Sequence, residues 1–269
     1  MTRHEAATVP TLVTGAASGT GRHIAAALAA RGAPVAAVDV DAAGLAEASA
    51  DTPSITPWVC DLSDEAGVHD TVKRVEEQLG PIQRVFHCAG IAPVGRLLTV
   101  PTADIERVVN VNYLGTVHVA RATVPGMIDR GRGTFTVIAS IAGWIPMADV
   151  GAYSASKAAV ISFCEVLAAE CRRTGVRIVC VCPAAVETPM LKDLRRSHPD
   201  IVNDKPGIHP AAVLAAAERA LDKGKLFAFP GRGTTTVWRA RRLAPVALSG
   251  ILQAAVKRQR THRPPGSEG

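Results

Sequence analysis

Tyr153 and Lys157 stand four residues apart in the stretch Gly151-Ala-Tyr-Ser-Ala-Ser-Lys-Ala-Ala159, and Ser140 lies thirteen residues upstream. A phenol, an ammonium and a hydroxyl are the parts of a proton-transfer site. The alanines and the apolar positions Val160, Phe163, Val166 and Leu167 predict a helix over 151–171, on which i,i+4 spacing stacks phenol and ammonium on one face. A free phenol titrates near pH 10, so acid or base work at neutral pH requires about 4 kcal/mol of stabilisation of its anion. An adjacent cation in a partly dry cleft supplies much of that. Tyr and Lys at this spacing also occur on ordinary helix surfaces, so the surrounding elements have to decide.

Those elements alternate. Strand-like runs fall at 9–14, 35–38 ending at Asp39, 58–60, 84–88, 134–140, 176–182 and 226–229, separated by helical patterns at 22–31, 64–79, 102–130 with a break near Pro125, and 151–173. Strands and helices in this rhythm predict an α/β fold with a doubly wound parallel sheet of Rossmann type. Between the first strand and first helix runs Gly15-Ala-Ala-Ser18-Gly19-Thr20-Gly21. Gly15 permits a tight turn, while Gly19 and Gly21 let backbone N–H groups and the helix approach a pyrophosphate. Asp39 ends the second strand, where a carboxylate holds both ribose hydroxyls and repels a 2′-phosphate. Asp41 is a competing position for that role. Neither Ser18 nor Val40 offers a cation to a phosphate, so NAD is favoured over NADP.

The 269 residues suit one domain, 9–231, followed by an extension, 232–269. No run of apolar residues is long enough to predict a membrane span, and Met-Thr-Arg-His-Glu lacks the apolar core of a signal peptide, so a cytoplasmic protein is expected. Cys60, Cys88, Cys164, Cys171, Cys180 and Cys182 lack metal-ligand rhythm and read as reduced, buried thiols, with no metal site. From Arg232 onward eight Lys and Arg stand against one Glu, so the domain itself is almost neutral and nucleic acid is not an expected partner. In the extension, Trp238 with Arg239, Arg241 and Arg242 has an interfacial composition. After the break at Pro245, Leu248, Ile251, Leu252, Ala255 and Val256 recur at helical spacing, giving a basic amphipathic helix. Such a helix binds an anionic membrane, a partner subunit, or its own domain over the cleft, and 261–269 are expected to fray.

In order and spacing, residues from about Thr11 to Met190 resemble the short-chain dehydrogenase/reductase family in its compact single-domain form. Thr14-Gly-Ala-Ala-Ser-Gly-Thr-Gly21 matches the family's cofactor motif, and Asp61-Leu62 matches its adenine-contacting pair. The N-N-A-G segment appears as His87-Cys88-Ala89-Gly90, without either asparagine, and Cys88 replaces the one beside the cofactor ribose. Asn112, with Asn110 as competitor, matches the asparagine that bends a helix and anchors a water of the proton relay. Cys182-Pro183-Ala-Ala-Val186-Glu-Thr188 resembles the turn whose threonine binds the nicotinamide carboxamide, with Ala184 in place of glycine. The resemblance implies hydride transfer between an alcohol or its carbonyl and a nicotinamide. Ser140 would hydrogen-bond the substrate oxygen, Tyr153 exchange the proton, Lys157 lower the tyrosine pKa and bind ribose, and Asn112 connect the site to water. It also implies a homodimer or homotetramer.

Substrate choice is expected to lie in 92–99, 141–150 and 189–210. Trp144, Ile145, Pro146, Met147 and Met190 there predict an apolar substrate, a lipid-, steroid- or retinoid-like alcohol. The non-enzymatic alternative is an NAD-sensing or scaffold protein on the same fold.

Overall fold

A computed structural model describes residues 8–198 and 206–244. Their elements are β1 (Thr11–Thr14), α1 (Gly19–Ala29), β2 (Val35–Asp39), α2 (Ala42–Ser49), β3 (Ile55–Val59), α3 (Glu65–Leu79), β4 (Arg84–His87) and α4 (Thr102–Val109). A π-helical turn, Asn110–Leu114, leads into α5 (Gly115–Asp129), β5 (Gly133–Ile138) and a 3-10 turn, Ile141–Gly143. The remainder are α6 (Gly151–Glu170), β6 (Val176–Val181), α7 (Pro189–Ser197), α8 (Pro210–Asp222), β7 (Phe227–Ala228) and α9 (Thr234–Leu243). The strands form one parallel sheet in the order β3-β2-β1-β4-β5-β6-β7.

Successive side chains of a strand face opposite sides, so each central strand feeds two cores. Val13, Ala37, Phe86 and Val179 pack with Ile24 and Leu28 of α1 and Val213 and Ala217 of α8. Leu12, Val85, Phe135 and Ile178 pack on the other face with Val72 of α3, Val119 and Met127 of α5, and Val160 of α6. The strand order reverses between β1 and β4, and a crevice opens outside the strand ends at that switch point.

Several boundaries differ from the sequence reading. β3 begins at Ile55 and contains Pro57, which is tolerated because β3 is an edge strand whose open side needs no donor. The long helix does not break at Pro125: α5 runs through it, with Pro125 exposed so that water can take the carbonyl its ring leaves unpaired. The break falls earlier, at the π turn. Helices α2 and α8 were not anticipated, although Pro210 at the first turn and buried Val213, Leu214, Ala217 and Leu221 are a legible helix signature. By length and composition α6 alone among the described helices could cross a membrane, but Val160, Ile161 and Cys164 bury it against the sheet.

The first part of the extension docks on the domain. Trp238 of α9 stacks on Phe229 with ring centroids 4.7 Å apart and meets Phe227 at 6.3 Å and Trp144 at 6.1 Å. Thr234, 5% exposed, directs its hydroxyl to the carbonyls of Phe229 (2.7 Å) and Gly231 (2.8 Å). Trp238, half-buried, thus packs on the domain's own aromatic residues. The stripe from Leu248 to Val256, the terminal segment 261–269 and residues 1–7 lie outside the described residues.

Candidate active site

A cleft of about 870 Å³ runs along the switch point, bordered by the ends of β1, β2, β4, β5 and β6. At its floor, Gly15 has φ +66, and a Cβ there would lie 2.7 Å from the nitrogen of Ala89, so the β1 and β4 loops approach as only glycine allows. At Gly21 a Cβ would lie 2.1 Å from the carbonyl oxygen of Gly15, which lets α1 start directly on the loop. Ser18 is the N-cap of α1 but makes no side-chain cap bond, and the first turn carries no acid. Its N–H groups therefore face the cleft unclaimed by any side-chain cap, as an anion site requires. In α2, by contrast, Asp41 caps the helix by accepting from Ala43 and Gly44, both at 3.1 Å. The two acids are placed differently: Asp41 caps, while Asp39 lines the cleft with its carboxylate held by Ala17 N–H (3.0 Å) and Asp41 N–H (3.1 Å). The exposed Arg22 is engaged by Glu47 at 3.1 Å.

Ser18, Gly19, Thr20, Asp61, Leu62, Cys88, Ala89, Gly90, Pro183, Val186 and Thr188 all border the same cleft, with Ser140, Tyr153 and Lys157. Asp61 accepts from the backbone (2.9 Å) and hydroxyl (2.7 Å) of Ser63, which holds its carboxyl below the usual range. His118 of α5 contacts the carbonyl of Leu62 at 2.9 Å and braces that loop. Burial pushes the Cys88 thiol up to about 12, so a neutral sulfur stands where the family carries an amide. Ala184 does not displace the turn: its methyl faces Gly231, where a Cβ would lie 2.8 Å from it, so the missing glycine on one side is answered by a glycine on the other.

Ser140, Tyr153 and Lys157 converge from two elements. Ser140 follows β5 and caps the 3-10 turn, its Oγ accepting from Ala142 N–H at 3.1 Å. Its hydroxyl and Tyr153 border the same cleft. One turn along α6, Lys157 is 5% exposed and donates to the carbonyl of Ile138 at 3.0 Å, its ammonium 5.8 Å from the Tyr153 ring centroid. Burial lowers the lysine to about 8. The phenol is raised by burial, with the nearby Ser140 hydroxyl opposing. In this arrangement the Lys157 ammonium is engaged by the Ile138 carbonyl, and burial is the largest influence on the phenol.

Asn112 is the one proposed site residue that does not border the cleft. Fully buried in the π turn, it accepts from Ile91 N–H (2.8 Å) and donates to the Ile91 carbonyl (2.9 Å) and Ser156 Oγ (3.0 Å). Ser156 in turn donates to the Tyr153 carbonyl at 2.8 Å, so Asn112 brackets the β4 loop to the turn of α6 that carries Tyr153 and Lys157. Asn110 borders the cleft instead.

A second unanticipated element is His87. Thr14 Oγ1 accepts from the N–H groups of Cys88 (3.2 Å) and Ala89 (3.3 Å), leaving its proton for His87 Nδ1 at 2.9 Å. The imidazole proton then sits on Nε2, which is buried without a partner. Desolvation, followed by the Lys157 charge, lowers this histidine to about 3.

Toward the outside, Ile91, Ile141, Met147, Val150, Met190, Leu191 and Leu194 border the cleft. Of the apolar residues expected there, Met147 and Met190 do so. Trp144, Ile145 and Pro146 do not: Trp144 turns to the β7 edge, 5.5 Å from Phe227, and Ile145 is buried. The sequence contains these residues but not the direction in which the loop turns them. Among the described residues no cluster of His, Cys, Asp and Glu could hold a metal, and all six cysteines are free.

Fold and site together define a nucleotide-binding oxidoreductase. The chain belongs to the short chain dehydrogenase family, whose sequence profile matches residues 10–199. It is similar to a 1-deoxy-11-beta-hydroxypentalenate dehydrogenase of Streptomyces avermitilis, 40% identical over 190 residues that cover 68% of this chain and 70% of that one. A 2-dehydro-3-deoxy-L-rhamnonate dehydrogenase (NAD(+)) of Sphingomonas sp. is 34% identical over 198 residues, covering 72% and 78%. Among solved structures, a short chain dehydrogenase from Burkholderia cenocepacia in complex with NADP superposes with TM-score 0.78 at 25% identity, covering 91% of this chain and 97% of that one. Other relatives are much longer, this chain spanning 31% of their length.

Proposed function

We propose that the protein is an NAD-dependent alcohol dehydrogenase or ketoreductase for a neutral, hydrophobic secondary alcohol or its ketone. One observation carries the reaction: Ser140, Tyr153 and Lys157 line one cleft that continues to the start of α1, which no side chain caps, and to Asp39. The residues fit a dinucleotide. The α1 N-terminus and glycine loop would hold its pyrophosphate, Asp39 one ribose, Asp61 and Leu62 the adenine, Lys157 the other ribose, and Pro183, Val186 and Thr188 the nicotinamide. When bound, the nicotinamide supplies or accepts the hydride.

The chain's own residues manage the proton and the orientation. Ser140 donates to the substrate oxygen, and Tyr153 gives the proton to a forming alkoxide or takes it from an alcohol. Lys157, cationic below about pH 8, favours the phenolate that remains. Asn112 holds the turn that carries both in register with the β4 loop.

NAD over NADP is supported by the carboxylate of Asp39 and the exposed Val40 beside it, which repel and fail to pair a 2′-phosphate. A neutral apolar substrate is supported by Met147, Val150, Met190, Leu191 and Leu194, which line the outer part of the cleft. A cytoplasmic, reducing location is supported by the six free thiols. The test is a screen of secondary alcohols and ketones, hydrophobic and sugar-like, with NAD and NADP, following cofactor absorbance. Turnover of long-chain alcohols with NAD is expected. Preference for sugar acids overturns the substrate reading, and tight NAD binding without turnover of any alcohol favours a sensor.

A further inference from the structure

The wall of the substrate half is α7, and one side chain ties it to the chain on both sides. Among the described residues no other helix or strand packs closely along α7. Its cleft side presents Met190, Leu191 and Leu194, while Asp193 and Arg196 pair with each other on its exposed side. Thr188 starts the helix, its Oγ1 accepting from Leu191 N–H at 3.3 Å.

The residue immediately before that cap is Glu187. Its carboxylate receives both arms of Arg195, two turns down α7, at 3.1 and 3.0 Å. The same carboxylate accepts from Gly207 N–H at 2.5 Å, on the chain returning toward α8. Its own backbone N–H donates to the Ile208 carbonyl at 2.9 Å, and Ile208 N–H to Ala185 at 2.8 Å. One carboxylate therefore joins the cofactor turn, the far end of α7 and the returning chain. A bidentate guanidinium pair with a third donor fixes direction as well as distance, which a single surface contact does not.

We infer that Glu187 is the positioning residue that sets substrate-size selectivity, by clamping α7 so that Met190, Leu191 and Leu194 stand at a fixed height above Tyr153. The inference rests on the reading that the cleft takes hydrophobic alcohols. Glu187 touches neither substrate nor cofactor in this role, and acts through Arg195 and Gly207. A clamp on the wall changes substrate affinity and length preference while the proton-transfer trio stays in place.

The experiment uses the full-length protein with NAD and a series of 2-alkanols from propanol to decanol. Glu187→Gln and Arg195→Met are each expected to raise KM for the preferred alcohol about tenfold and flatten the length profile, with kcat within about threefold and NAD affinity unchanged. The double variant is expected to fall short of the product of the two single effects, because both remove the shared Glu187–Arg195 pair. An unchanged length profile, multiplicative effects in the double variant, or an equal loss of NAD affinity overturns the clamp. Trypsin cleavage after Lys192 or Arg196, measured with NAD bound and no alcohol present, reads the same clamp without turnover. It is expected to accelerate in Glu187→Gln, and equal rates overturn the clamp. A wild-type protein that oxidises none of the alkanols counts against the proposed substrate class, and the proteolysis comparison still decides the clamp.

Discussion

The floor of the cleft is held by buried groups bonded to one another: Thr14 to Cys88, Ala89 and His87, Asn112 to Ile91 and Ser156, Lys157 to the Ile138 carbonyl. The wall across from it hangs on a pair whose side chains are 23% and 31% exposed, Arg195 and Glu187. Desolvated polar groups are costly to leave unpaired, so a change in the floor is felt as lost chemistry or lost stability. Half-exposed pairs rearrange at small cost, so a change in the wall is felt as altered selectivity. One fold can thereby keep a single proton-transfer device and vary what is presented to it.

The strongest way to challenge this division is at the floor's reacting group. Tyr153→Phe keeps the ring that packs against the cleft and removes only the proton carrier. Turnover is expected to fall between about 10²- and 10⁴-fold, with NAD affinity measured by titration unchanged. Near-normal turnover would remove the tyrosine from the chemistry and leave the floor without its task.

His87 gives the next largest effect, in stability rather than rate. Its folded pKa, about 3, lies below the ordinary histidine value of 6.5, so the unfolded chain binds the extra proton first. Stability is therefore fully present above pH 6.5 and drains as pH falls toward 3. Between pH 7 and pH 4 the loss is about 3 kcal/mol from this residue alone. Replacing it with the family's asparagine, His87→Asn, should flatten the acid limb of a denaturant-melt series by about that amount. An unaltered acid limb would mean that the buried imidazole is not what fails in acid.

Much of the floor was legible in the sequence because its parts are set by short-range backbone requirements. Gly15 and Gly21 have no room for a Cβ, Asp39 closes a strand, and Tyr153 and Lys157 are one helical turn apart, so each left a local trace. The wall left none, since apolar residues in a loop do not encode which way they turn: Met147 points into the cleft and Trp144, three residues earlier, away from it. His87 was readable only as an absence of asparagine, because its significance depends on Thr14, which is far off in the chain and adjacent across the sheet. Helix α2 is short and α8 is built largely of alanine, and both escaped a reading tuned to longer apolar periodicity.

Trp238 probes the wall from behind. The loop that sends Met147 into the cleft sends Trp144 into the aromatic group of Phe227, Phe229 and Trp238, so α9 supports the wall without touching substrate. Trp238→Ala should cost about 2 kcal/mol of stability, the lower range for truncating a half-buried aromatic residue. Its kinetic effect should appear in KM for alcohol, with Trp238→Phe restoring most of both. An effect on kcat alone would place the extension in contact with the floor.

The smallest effect crosses the boundary between the two regions. Asp39 belongs to the floor, its carboxylate fixed by Ala17 and Asp41 N–H groups at the cofactor end of the cleft. Asp39→Ser removes the charge that disfavours a 2′-phosphate together with one ribose acceptor. NAD affinity should fall about tenfold, close to 1.4 kcal/mol, while NADP is no longer rejected. The alkanol length profile should stay where the wall sets it, since α7 and its Glu187 attachment are untouched. If the profile moves with the cofactor preference, the dinucleotide and α7 share one adjustable contact, most directly Thr188, which lines the cofactor end and begins the helix. Floor and wall would then be a single coupled surface, and selectivity for alcohol and for cofactor could not be altered independently.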